Sequence, residues 1–420
     1  MKSLLTELAS RGLVQDQTPG LADRLATGQP ITAYVGFDPT APSLQVGNLV
    51  PVMLLAHLQR AGGKAIVVMG GGTGMVGDPS GKSEERPLLS TEQLDANVKR
   101  QEGQFRHLLP GVEIVDNATW LRPLGMMEFL RDVGKHFTIS VMLQKDSVKS
   151  RLEQGISFTE FSYMLTQAYD FWHLFRERHC EMQMGGSDQW GNITAGVELI
   201  RKREGQEAHC LTAPLITTAT GAKFGKSEGK ALWLDAGLTP PHVFYNFWVN
   251  ADDRDVEKYL RMFTFKSQDE VAALMTQHAG NPGARAAHHA LALDLTERVH
   301  GAEVAKQTAE GVRGGAAASK TGDVRAEIEQ LSKSQSPIPV AVDPANMPTS
   351  ESLFQLAKLV SSKSDARRLM EGGGLYLNGE AATFGQAITR SDVQETAAGA
   401  FILLRKGKKN TQLLKVTGLD

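Results

Sequence analysis

Residues 31–69 read ITAYVGFDPTAPSLQVGNLVPVMLLAHLQRAGGKAIVVM, and the fold class turns on them. The run 31–37 (ITAYVGF) is short, apolar and rich in β-formers, which suits a buried strand, and 64–69 (KAIVVM) is a second one. Between them Val50, Met53, Leu54, His57 and Leu58 recur at helical spacing, and Gly62-Gly63 offers a C-terminal stop. Pro51 fits a helix that begins near Gly47, because first-turn amides have no partner inside the helix. Strand, helix, strand at this spacing is a βαβ unit and predicts a parallel sheet.

The alternation of strands and amphipathic helices continues to about residue 235. From Thr239-Pro240-Pro241 the sequence reads as helical, with Val256, Tyr259, Leu260 and Phe263 on one face. Residues 332–348 hold Pro337, Pro339, Pro344 and Pro348 and read as a stiff linker. The expected organisation is an α/β parallel-sheet domain over 1–235, a helical domain over 236–331, the linker, and a small α+β unit over 349–420. Such a chain of 420 residues, 41% hydrophobic and 22% charged, is globular in composition. Its 45 basic and 47 acidic residues exclude nucleic-acid binding by bulk charge, though not by a local patch. Two cysteines, Cys180 and Cys210, cannot build a disulfide framework, and Glu7 and Arg11 interrupt any apolar leader, so a cytosolic protein is expected.

Residues 72–77 (GTGMVG) have dinucleotide-loop spacing, but Asp78-Pro79 stands where a helix should open onto a pyrophosphate. Residues 77–83 (GDPSGKS) and 221–227 (GAKFGKS) are each one glycine short of a phosphate loop. Tyr163, Gln167 and Asp170, at offsets of 4 and 3, share one helical face, which is either a solvated stripe or a pocket wall. Asp188, after Gly185-Gly186, suits a carboxylate that accepts two hydroxyls. Adjacent His288 and His289 point apart on a helix and make no metal site. Asn117-Ala118-Thr119 and Asn192-Ile193-Thr194 match the glycosylation pattern, which carries no meaning without export.

Taken together, 34–44 (YVGFDPTAPSL), 70–86 (GGGTGMVGDPSGKSEER), 158–171 (FTEFSYMLTQAYDF), 185–196 (GGSDQWGNITAG) and 223–227 (KFGKS) resemble the bacterial tyrosyl-tRNA synthetases, class I aminoacyl-tRNA synthetases, over essentially the whole chain. The resemblance implies a Rossmann-like catalytic domain that joins tyrosine to ATP and then to tRNA, with Mg2+ accompanying ATP, no tightly bound cofactor, and a homodimer formed by helices around 121–150. It implies that Tyr34 and Asp170 meet the phenol, and that Tyr163, Gln167 and Asp78, with Gln189, meet the rest of the tyrosine. Gly36, Asp38, Gly47, Gly186 and Asp188 would hold ATP. Thr40, Gln45, Asn48, Lys82, Arg86, Lys223, Lys226 and Ser227 would serve the phosphates. The C-terminal unit resembles an S4-type RNA-binding domain, with 10 Lys+Arg against 7 Asp+Glu from Glu351 onward, and implies tRNA contacts at Arg367, Arg368, Arg405, Lys406, Lys408 and Lys409.

One departure stands out. The family's His-x-Gly-His signature reads Gln45-Val46-Gly47-Asn48 here. A catalytically impaired paralogue that only binds RNA or tyrosine, and a tryptophan-specific relative, are the alternatives the sequence leaves open.

Overall fold

The 31–69 stretch folds as a strand, a helix and a parallel strand. In the computed structural model the described residues are all but 2, 81–88, 146–147, 150–151, 153–154, 222–223, 228–229, 322, 335, 344–346, 408–409 and 419–420. The first sheet comprises β1 (Asp16–Gln17), β2 (Thr32–Phe37), β3 (Lys64–Met69), β4 (Glu113–Asp116), β5 (Met182–Gly186) and β6 (His209–Ala213), in the order β1-β6-β5-β2-β3-β4. Only β1 is antiparallel to its neighbour. The chain moves outward from β2 to β4, then returns to the other side of β2 for β5 and β6. The connections leaving β2 and β5 therefore diverge, and a crevice opens at their C-terminal ends.

Helix Leu49–Arg60 is buried along most of its length and packs on β2, β3 and β5. Pro51 is its third residue, where no helical amide is lost. Its C-terminus is closed by Gly62 at φ 86° and by Gly63, whose amide donates to Leu58 O at 2.9 Å. A Cβ on Gly63 would lie 2.4 Å from the Leu58 side chain and 2.9 Å from Ile31 O, so only glycine fits there. Helices Phe158–Arg178 and Trp190–Glu204 join Tyr34, Ile66 and Val68 in a common core through Phe171, Leu199 and Ile200. A short hairpin, β7 (Lys226–Ser227) with β8 (Lys230–Ala231), follows the sheet.

The chain packs as two compact units, and their border differs from the sequence reading. Residues 251–287 belong with 1–235, while 236–250 and 288–420 form the second unit. Arg11 shows why. Its guanidinium is 4% exposed, pairs with Glu7 at 2.6 Å, and donates to the carbonyls of Arg261, Thr264 and Lys266 at 3.0, 2.8 and 3.0 Å. These carbonyls lie at and just beyond the end of helix Asp253–Phe263, whose final acceptors have no partner inside the helix. Arg11→Ala is expected to cost roughly 2–4 kcal/mol, measured as a lower urea midpoint, since it strands buried acceptors. A midpoint equal to the parent's would show that these bonds are replaced at no cost.

The second unit carries another sheet: β9 (Ile338–Ala341), β10 (Leu375–Leu377), β11 (Glu380–Ala381), β12 (Gln394–Thr396), β13 (Gly399–Lys406) and β14 (Asn410–Thr417). Its order is β11-β10-β13-β14-β9, with β12 also on β13, and only the β14–β9 pair is parallel. The 332–348 segment is thus not simply a linker. Residues 338–341 form an edge strand, a place that tolerates Pro339 because one side of its ladder is unpaired. Helix Val324–Ser334 lays Ile328 and Leu331 on Phe401, Leu403 and Leu413 of this sheet. Among the described residues no helix is long and apolar enough to cross a membrane.

Candidate active site

A cavity of about 750 Å³ occupies the crevice beyond β2 and β5. Tyr34 and Gly36 of β2 line it, with Asp38 and Thr40 just beyond, and the long helix contributes Tyr163, Gln167 and Asp170. The shared face of those three is therefore a pocket wall, not a solvated stripe. Gly186 and Gln189 enter from the end of β5, Asp78 from the loop after β3, and Gln45 and Asn48 from the turn before helix Leu49–Arg60. Burial falls from Tyr34 and Asp170, at 1% and 3% exposed, to exposed Gly36 and Thr40.

Asp170 sits at the buried end. Trp120 Nε1 donates to one carboxylate oxygen at 2.7 Å and Asn117 Nδ2 to the other at 2.8 Å. Burial pushes this carboxyl up to about 7, against the pull of those two donors, with Asp38 and Asp116 adding repulsion. Tyr34 presents a buried hydroxyl that has no hydrogen-bond partner among the described residues. Burial and the nearby Asp170 charge keep that phenol protonated. The buried end thus offers an acceptor and an uncommitted hydroxyl.

The glycine run 70–72 turns out to face carboxylates and an amide. Gly71 N–H donates to Asp116 Oδ1 at 3.1 Å and Gly72 N–H to Asn117 Oδ1 at 2.7 Å. Added Cβ atoms at Gly70 and Gly71 would lie 2.2 Å from Asp38 Oδ1 and 2.4 Å from Asp116 Oδ1. These glycines make room for side-chain acceptors, and the amides of Gly71 and Gly72, which a dinucleotide loop would turn to phosphate, are engaged by them.

Asp78 is buried, accepting from Gln189 Nε2 at 2.7 Å, from Ser80 N at 2.9 Å and from Asn192 Nδ2 at 3.3 Å. Toward the exterior, Asn48 Oδ1 accepts from Gln45 N at 2.8 Å, so its NH₂ remains for donation. Gly47 is exposed and Asp188 lies exposed on the turn after β5; neither lines the cavity. Gly225 and Leu232 pack on the Gln45–Asn48 turn: Val46 N donates to Leu232 O at 2.9 Å, and a Cβ on Gly225, at φ 86°, would meet Val46 at 2.9 Å. Lys226 and Ser227 form β7, which fixes their backbone course; Lys82, Arg86 and Lys223 lie outside the described residues. Sequence reasoning missed Thr73, Asn117, Trp120 and Asn192. Two of these were visible only as asparagines of an irrelevant glycosylation pattern.

The family model for class I tRNA synthetases (W and Y) matches residues 26–314, and that for the tyrosine–tRNA ligase SYY-like C-terminal domain matches 327–414. The chain belongs to the tyrosine–tRNA ligases. It is 52% identical to the tyrosine–tRNA ligase of Anaeromyxobacter dehalogenans (strain 2CP-1 / ATCC BAA-258), across 99% of this chain and all of that one. It is 45% identical to that of Bacillus caldotenax, across 98% and 99%. Among solved structures, the C-terminally truncated mitochondrial tyrosyl-tRNA synthetase of Aspergillus nidulans aligns at TM-score 0.68 and 33% identity, across 74% of this chain and 94% of that one.

In this tyrosine–tRNA ligase the C-terminal basic side chains differ in their commitments. Arg405 corrects the sequence reading: its guanidinium reaches both oxygens of buried Glu327, 2.7 Å to the farther, and it ties helix Val324–Ser334 to β13. Nη2 alone makes both contacts, and the buried carboxylate commits the Arg405 charge inside the unit. Arg367 lies 4.3 Å from the centre of the Phe384 ring, and exposed Arg368 pairs with Asp365 at 2.9 Å. Lys406 ends β13, and Lys408 and Lys409 lie outside the described residues.

Proposed function

We propose that the chain activates L-tyrosine with ATP, supplied as its magnesium salt, and passes the tyrosyl group to the 3′ end of the tyrosine tRNA. The observation that carries this reading is the buried end of the cavity. A substrate phenol there donates to Asp170 and accepts from Tyr34. Phenylalanine would leave the Tyr34 hydroxyl unpaired and deprive Asp170 of a further donor, at about 1–3 kcal/mol each. Tyr163, Gln167 and Asp78 supply acceptors for the ammonium, and Gln189 holds Asp78 in place. Gly36, Gly47 and Gly186 let ATP approach closely, Asp188 takes the ribose hydroxyls, and Asp38 and Thr40 border the nucleotide.

Adenylate formation is an in-line attack of the tyrosine carboxylate on the α-phosphorus and needs no protein nucleophile. Positioning and neutralisation of the departing pyrophosphate suffice, and we assign the latter to Lys82, Arg86, Lys223 and Lys226, with Ser227, Gln45 and Asn48 as neutral donors. For tRNA we assign Arg367, Arg368, Lys406, Lys408 and Lys409. A homodimer is supported by the exposed apolar side chains of Met126, Met127, Ile139, Val141 and Phe158. The test offers tyrosine, phenylalanine and tryptophan in tRNA charging, with ATP–pyrophosphate exchange alongside. Exchange and charging with tyrosine alone are expected; absent exchange would favour the RNA- or tyrosine-binding paralogue.

Gln45 sharpens that choice. A neutral amide donor contributes about 0.5–1.5 kcal/mol, roughly half of a charge-assisted bond from a lysine or arginine. Gln45→His should therefore raise single-turnover adenylate formation by at most about tenfold, with tyrosine affinity unchanged. A dead parent revived by histidine would mean that Gln45 disables the site.

A further inference from the structure

Thr73 stands at a junction that no part of the reading so far assigns. It is 3% exposed and lines the cavity. Its neighbours fix the direction of every hydrogen bond around it. Asn117 Oδ1 accepts from Gly72 N, so the Asn117 amide must turn its NH₂ toward Thr73 Oγ1 at 3.0 Å and Asp170 at 2.8 Å. Having accepted there, Thr73 sends its own proton to Asp38 Oδ1 at 2.8 Å. Tyr163 O–H donates to the other Asp38 oxygen at 3.1 Å. The Asp38 carboxylate is thus gripped from two walls, by the glycine loop and by the long helix. Gly70 completes the arrangement, since a Cβ there would lie 2.2 Å from Asp38 Oδ1 and 2.7 Å from Thr73 Oγ1.

We propose that Thr73 is a positioning residue for the nucleotide half of the reaction, fixing the orientation of Asp38. The proposal rests on the tyrosine-and-ATP reading above. The phenol half is held separately, because Asn117 keeps its bonds to Gly72 and Asp170 when the Thr73 hydroxyl is removed. Loss of that hydroxyl therefore acts on ATP use and leaves the choice between tyrosine and phenylalanine alone.

The experiment compares Thr73→Val, Thr73→Ser and Gly70→Ala with the parent in single-turnover adenylate formation, each first checked by thermal melting. Valine keeps the shape and lacks the hydroxyl; it should lower kcat/KM for ATP about ten- to 150-fold, the size expected for losing one bond to a charged acceptor. Tyrosine affinity and the tyrosine-over-phenylalanine preference should stay within about threefold of the parent. Serine should restore ATP use. Gly70→Ala, which displaces Asp38 without removing a donor, should reproduce the valine defect, and it carries the test if the valine variant does not fold. Parent-like ATP dependence in both Thr73→Val and Gly70→Ala would overturn the proposal. So would a valine variant that loses tyrosine preference, which would place Thr73 at the phenol end. A parent that forms no adenylate would instead overturn the functional reading on which this rests.

Discussion

Asp170→Asn is expected to lower kcat/KM for tyrosine about a hundredfold or more and to collapse the preference over phenylalanine. An amide there loses the charge that favours a phenol donor. It also turns an NH₂ toward the N–H of either Trp120 or Asn117, so two donors face each other where the carboxylate accepted from both. A lost charge-assisted bond plus that mismatch comes to roughly 3 kcal/mol in transition-state binding. The pH dependence follows the same geometry. Burial raises the Asp170 carboxyl to about 7, so its neutral form is populated at higher pH than for an ordinary aspartate. A neutral carboxyl must donate through one oxygen, and both oxygens already face donors. Tyrosine capture by the free enzyme should therefore weaken as pH falls through about 7, and this acid limb should vanish in Asp170→Asn. Unchanged tyrosine kinetics in the variant would remove Asp170 from the pocket.

Ending the chain before Asp323 is expected to cut tRNA charging by more than about a hundredfold, through lost phosphate contacts, while pyrophosphate exchange stays within about twofold. The cavity is built entirely within the first unit. The position of the cut matters. Ending at Glu351 would leave Ile328 and Leu331 without the strands they cover, Glu327 without Arg405, and β9 without β14. The gap between the two family matches, 314 to 327, contains the cut, which also parts helix Ala302–Thr321 from the helix Val324–Ser334 packed against it. If exchange and charging fell together, the C-terminal region would be supporting the catalytic one.

The βαβ start was legible because three local signals agree there: strand runs, helical spacing and a glycine stop. The wall formed by Tyr163, Gln167 and Asp170 was half legible. Spacing put them on one face, but only the fold decided that the face looks inward. The support for Asp170 was not legible at all. Asn117 and Trp120 follow β4, Thr73 follows β3, and nothing in their local sequence joins them. Arg11 is opaque for a different reason, since its partners are backbone carbonyls, which any residue could supply. Pro339 misled because a proline-bearing stretch reads as a spacer unless the edge position of β9 is known.

The parallel pairing of β9 with β14 sets an order of events during synthesis. Residues 338–341 leave the ribosome long before their partners at 414–417, and pairing must wait for a long loop to close. The first unit contains no residue beyond 287. At a typical elongation speed of about 5–20 residues per second, it is fully emitted on the order of ten seconds ahead of the second sheet's final strand. The cavity beyond β2 and β5 can therefore form on a nascent chain that has no second sheet. In that interval Ile328 and Leu331 await the strands they will lie on, which exposes this stretch to aggregation.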